Sequence, residues 1–392
     1  MKFRRLLFLL ALCSLWVGIA NAGGAATQPA LPSYLITNND PPVKVSATSG
    51  TFFAIGSGGT LSSPNRITVG GSGAGGGYFN ASRVSVLQSS TAACAYLSLG
   101  GAAEVGAIDI QALQDIGNFS AASTDSGVDN GVGLVNNGTY LYASFSTSNT
   151  IATFTVLPGC ALQFLSDISP IGKHQGNVKG MAVHGNLMIL TYGDGSIESF
   201  NIGAGVPVSN GDLQDASGYA VDTYPTGVDI TQDGHYAIFG DQATYTTVEV
   251  SDISSGKLTK TVLYSVGKAG NSNNVVLSPD GTLLYITNTS SGQVTAAFFN
   301  AATGKVSPGC TTKELKGFDN QWVFLATPVT ELNSGTGSVL YVAEYGSRSG
   351  MAVLNVTSSG GKCTLTEASF SPVVDPDSTT LLSIGVYPPR PF

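Results

Sequence analysis

One period of about 48 residues constrains this chain more than any other feature. Residues 83, 131, 178, 227, 274 and 322 each open a short apolar run, at steps of 48, 47, 49, 47 and 48. Gly138, Gly185, Gly234 and Gly281 follow at matching offsets. Each period reads as an apolar strand, a Gly turn, a second apolar strand, a polar turn, a third strand and a weaker fourth. Four strands in a period of this length are the signature of a propeller blade. Residues 274–307 carry the fullest copy. There Ser278-Pro279-Asp280-Gly281 is a tight turn, because proline presets φ and glycine accepts a positive φ.

The two ends of the chain complete the count. Residues 34–38, 51–55 and 66–69 supply three strands that lack an inner partner. Residues 380–387 supply one further apolar strand. Pairing them joins both ends in one sheet and removes an open edge. The expected fold is therefore all-β: a seven-bladed β-propeller of four-stranded blades, its ring closed by the C-terminal strand in the first blade. It spans residues 34–392 as one domain, with an insertion at 331–337. No segment after the leader has sustained helical periodicity.

Residues 1–22 read as a signal peptide. Lys2, Arg4 and Arg5 precede an apolar run, and Ala20-Asn21-Ala22 is a small-x-small cleavage site. Residues 23–33 form a Gly/Ala/Pro leader expected to be flexible. Cleavage after Ala22 would deliver a secreted or periplasmic protein. Its net charge would be 14 basic minus 25 acidic residues, −11. That balance argues against nucleic acid or an anionic membrane surface as partner. No later run is long enough to span a membrane. Four cysteines remain, an even number that favours two disulfides in an exported chain. Three connectivities are possible; Cys310 and Cys363 occupy matching places in consecutive repeats, so the expected pairing is Cys310 with Cys363 and Cys94 with Cys160.

The run Ser278-Pro-Asp-Gly-Thr-Leu-Leu-Tyr-Ile-Thr-Asn288, with the later Thr303-Gly304-Lys305, resembles the YVTN-type repeat of lactonase-like seven-bladed propellers. Thr231-Gln232-Asp233-Gly234 with Ser255-Gly256-Lys257 is a second match. Leu382 to Tyr387 resembles that family's closing strand. The resemblance covers nearly all of the chain after the leader. It implies a family that includes sugar-lactone hydrolases, with histidine, arginine and acidic residues around the central channel.

Ligands of propellers usually sit over that channel, on the face whose loops lead into the inner strands. The repeat identifies those loops by residue. They contain Asp129 and Asn130, His174, Gln175 and Asn177, Tyr224, Asn271 and Asn273, and Asp319, Asn320 and Trp322, with Arg83 at the start of the second blade. Amides and aromatics suit neutral polyols or sugars, which need bidentate hydrogen bonds and a flat apolar face. The same Asn, Asp and Gly residues also serve simply as turn formers. A hydrolase needs a base and a cation to steady an oxyanion. His174, Asp129, Asp319 and Arg83 are the residues available for those roles. His184 and His235 fall beside the turns that leave inner strands, on the opposite face, and Arg348 is more peripheral.

Other motif matches lack their context. Gly71-Ser-Gly73-Ala-Gly75-Gly76 fits a dinucleotide fingerprint but opens no helix. Asp194-Gly195 and Asp280-Gly281 lack the alternating acidic ligands of a calcium loop. Neither GxSxG nor HExxH occurs. No motif asks for a cofactor or a metal. The reading is an exported, monomeric propeller that binds a small polar ligand, a glycan or an envelope protein over its channel without catalysis. The alternative is a lactone or ester hydrolase.

Overall fold

A computed structural model describes residues 32–39, 47–71, 82–102, 104–121, 132–145, 149–169, 178–213, 225–242, 245–259, 261–318, 323–330, 338–344, 350–375 and 381–390. The expected leader and its cleavage site lie outside these residues. The chain after residue 31 forms seven antiparallel sheets arranged as blades. Their inner strands are Leu381–Tyr387, Val84–Gln88, Val132–Asn136, Val178–His184, Pro225–Ile230, Ser272–Leu277 and Val323–Thr330, for blades one to seven. Each inner strand lies against that of the next blade, and the last returns to the first. No helix among the described residues is long and apolar enough to cross a membrane.

Ring closure follows the expectation. The strand Leu381–Tyr387 pairs with Tyr34–Asn39, placing Tyr34 opposite Tyr387 and Thr37 opposite Ile384. The first blade thus takes its inner strand from the far end of the chain. One small strand, Val373–Val374, was not expected and pairs beside Gly350–Ser359 in blade seven.

Burial explains why the pattern was readable. A second strand such as Leu283–Asn288 is sandwiched between neighbouring blades, and all six of its residues are buried. The outer strand Lys305–Thr311 is mostly exposed. Apolar clusters fill the seams between consecutive blades: Leu87, Tyr96 and Phe154 between the second and third, Tyr285, Val294 and Leu340 between the sixth and seventh. Both disulfides form as expected and both cross such a seam. Cys94–Cys160 joins blades two and three, and Cys310–Cys363 joins blades six and seven.

The repeated turn has a local cause. In blade six the Gly281 N–H donates to the Ser278 carbonyl at 2.9 Å, and Gly281 sits at φ +68. Ser278 Oγ donates to Asp280 Oδ1 at 2.6 Å, while Leu283 N–H donates back to Ser278 Oγ at 2.9 Å. Blade five repeats the device with Thr231, Asp233 and Gly234. These turns end the inner strands, so they mark one face of the ring, the turn face. The opposite face, where loops lead into the inner strands, is the approach face.

Candidate functional site

The approach ends of the inner strands are irregular in a regular way. In blades four, five and six, register shifts fall between Val178 and Gly180, between Pro225 and Val228, and between Ser272 and Asn274. Lys179, Thr226 and Asn273 occupy these bulges. A bulge bends its strand and re-aims a side chain, and bulges concentrate near functional sites. Lys179 was not among the residues singled out from the sequence. It is partly exposed, and burial pulls its ammonium below the usual lysine range. Its only sequence signal was its place directly after an amide-rich loop.

The layer is held by bonds that cross from blade to blade. Thr191 Oγ1 donates to the Thr226 carbonyl at 2.5 Å, and Thr226 Oγ1 donates to the Asn273 carbonyl. Asn38 Nδ2 donates to the carbonyls of Arg83 and Ser98 at 3.2 and 3.0 Å. The Arg83 N–H donates to Ser383 Oγ at 3.0 Å. Small residues permit this approach. A Cβ on Gly180 would lie 2.2 Å from the Thr226 carbonyl oxygen, and one on Gly227 would lie 2.6 Å from Asn274 Cα. A side chain at either position would push the inner strands apart.

Of the residues expected at the site, three are described. Arg83 is 1% exposed and its backbone sits on the seam between blades one and two. Asn273 is 5% exposed. Asn271 is exposed, at φ +48, and its carbonyl accepts from the N–H and Oγ1 of Thr289 at 3.0 and 3.1 Å. It is therefore both a turn former and a surface amide. Asp129, Asn130, His174, Gln175, Asn177, Tyr224, Asp319, Asn320 and Trp322 lie outside the described residues. The same approach layer holds two carboxylates that the sequence did not flag, Asp241 and Glu344. Both are buried at the ends of second strands, opposite Pro225 and Val323.

The turn face has a different character. His184 ends the inner strand of blade four, and its ring lies against Gly234 of the next blade. His235 pairs with Asp233 at 3.3 Å on the surface. Both histidines are on the face opposite the approach loops, as their place in the repeat indicates. Among the described residues no group of three or more His, Cys, Asp or Glu is placed to hold a metal ion.

Solved structures share this architecture. A candidate 6-phosphogluconolactonase from Bacteroides fragilis superposes with a TM-score of 0.66 at 15% identity, over 91% of this chain and 98% of that one. A candidate 6-phosphogluconolactonase from Bacteroides uniformis gives 0.64 at 12% identity, over 91% and 100%. The periplasmic gluconolactonase of Pseudomonas aeruginosa gives 0.67 at 14% identity, over 90% and 99%. At such identities the likeness establishes the propeller fold and no more. No family model matches the sequence, and no curated protein matches it.

Proposed function

We propose that this protein binds a small neutral polar ligand, of the polyol or sugar-lactone class, over the approach face of its channel. The observation that carries this reading is the line of bulged strand starts at Lys179, Thr226 and Asn273 in three consecutive blades. Lys179 is the partly exposed member of this line, beside the buried Thr226 and Asn273, and an ammonium suits hydroxyl and carbonyl oxygens. The two disulfides and the leader-like residues 1–22 support export to an oxidising compartment.

A second reading is favoured by the shared fold with lactonases and by the repeat motif at 278–288. In it, the chain is a member of the lactonase-like propellers and opens a cyclic ester. His174 or Asp319 would act as base, and the partly exposed Lys179 would face the developing oxyanion.

One experiment addresses both. Purified protein is titrated calorimetrically with neutral polyols, hexoses and sugar lactones, and proton release is followed with and without a divalent cation. Binding weakened roughly tenfold or more in Lys179→Met, the scale of one hydrogen bond to a charged group, supports the first reading. Proton release with lactones, lost in His174→Ala, establishes the second. If no member of the panel binds, or if binding is unchanged in Lys179→Met, Asn271→Ala and Asp319→Ala alike, the site assignment fails.

A further inference from the structure

The turn face holds an ion pair that the repeat does not account for. Arg390 follows the closing strand by three residues. Its guanidinium donates to both oxygens of Asp229, at 2.8 and 2.7 Å, and to the Leu277 carbonyl at 3.2 Å. The pair is well shielded, with side chains 19% and 14% exposed. Asp229 is prepared for it. The Leu277 N–H donates to one of its oxygens at 2.8 Å, and the Ile230 N–H donates to the other at 2.9 Å. The carboxylate thus accepts two backbone and two guanidinium bonds. A planar fork on a carboxylate is the strong, oriented form of such a pair. Burial alone would weaken the charge on Arg390, but the charge of Asp229 and its hydrogen bonds outweigh that and raise its pKa.

The topology gives this contact its meaning. The strand Leu381–Tyr387 is the inner strand of blade one, whose ring neighbours are blades seven and two. Asp229 and Leu277 belong to the inner strands of blades five and six. Blade five is three places from blade one, as far as a seven-membered ring allows. Pro388, Pro389 and Arg390 cover at most about 10 Å when extended. The long Arg390 side chain completes the reach. Two prolines limit the conformations open to this short stretch.

We infer that residues 388–390 form a latch across the turn face of the channel, tying the closing strand to the opposite side of the ring. Among the seven inner strands described, the closing strand is the one whose paired neighbour in its blade is remote in sequence. It pairs with Tyr34–Asn39 alone within its sheet. To peel away it must also release Arg390 from blades five and six. The latch therefore couples ring opening to the breaking of a shielded ion pair.

Hydrogen exchange of the full chain tests this. In Arg390→Ala the amides of residues 381–387 exchange roughly tenfold faster or more, the scale expected for losing hydrogen bonds to a charged group. Amides in blades two and three keep their wild-type rates. Asp229→Asn is the second variant: it keeps an acceptor for the Leu277 N–H and removes the charge. It too speeds exchange in 381–387 while Leu277 stays protected. Unchanged exchange of 381–387 in either folded variant overturns the latch. Faster exchange confined to residues 229–230 and 277 overturns it as well, since it would mean a purely local pair.

Discussion

At the scale of single residues, the motif that carries the family likeness is structural. In Tyr285-Ile286-Thr287-Asn288, Tyr285 packs in the seam between blades. Thr287 Oγ1 accepts from the Asn274 N–H at 3.1 Å, and Asn288 Oδ1 accepts from Thr246 Oγ1 of the preceding blade at 2.9 Å. The first bond ties a side chain to the backbone of the paired inner strand, and the second joins two side chains across neighbouring blades, so both hold the fold together. The tyrosine recurs as Tyr96, Tyr142 and Tyr341, all fully buried, and burial pushes each phenol pKa upward. Their hydroxyls differ. Tyr341 Oη donates to the Gly59 carbonyl at 2.8 Å and Tyr142 Oη to the Gly205 carbonyl at 3.0 Å, each in the next blade. Tyr96 Oη is buried with no partner among the described residues. Tyr341→Phe should cost about 1–2 kcal/mol, because it strands a buried carbonyl. Tyr96→Phe should change stability by less than about 0.5 kcal/mol or raise it. Urea unfolding of the two variants side by side checks this. Equal losses would show that packing, not the hydroxyl, sets the cost.

At the scale of elements, the repeated turn predicts how the fold responds to acid. Burial raises the Asp280 carboxyl, but bonds from Ser278 Oγ, the Thr282 N–H and Thr282 Oγ1 outweigh it and hold the pKa below the usual range. Asp233 follows the same balance with Thr231 and His235. In each case the folded pKa lies below the unfolded one. The stabilisation is complete above about pH 4 and is lost as the pH falls through the folded value. Asp280→Asn should therefore flatten the decline of stability below pH 4 and cost roughly 0.5–1 kcal/mol at pH 7. Unfolding midpoints at pH 5, 4 and 3 measure both, and an unchanged acid slope would remove the turn from the explanation. These turns were legible in the sequence because their chemistry is local: serine or threonine, aspartate and glycine suffice. Second strands were legible because both of their faces are buried, giving unbroken apolar runs. The approach layer was not. A bulge breaks the period of two, so the start of blade five reads as Gly227 when the strand begins at Pro225. Lys179 is half-buried and Asp241 fully buried, and no local pattern in the sequence records that.

For the whole molecule, the covalent and the non-covalent ties divide the ring between them. Cys94–Cys160 and Cys310–Cys363 each join blades that are already consecutive, at sequence separations of 66 and 53. Neither crosses the closing strand of blade one. Loop closure of that size restricts the unfolded chain by about 4 kcal/mol per bond in the entropic account, with measured values commonly 2–4. The disulfides thus raise global stability without fastening the closure, and the latch at Arg390 fastens the closure with only a modest share of global stability. The two contributions should separate experimentally. Cys310→Ser with Cys363→Ser should lower stability by about 2–4 kcal/mol. Exchange within residues 381–387, measured under native conditions where local opening dominates, should stay close to wild type. Arg390→Ala should do the reverse. The comparison needs denaturant unfolding and native-state exchange on the same variants. If loss of the Cys310–Cys363 bond also frees the closing strand, then blades six, seven and one open as one cooperative unit, and the seam between blades seven and one is the weak point of the ring.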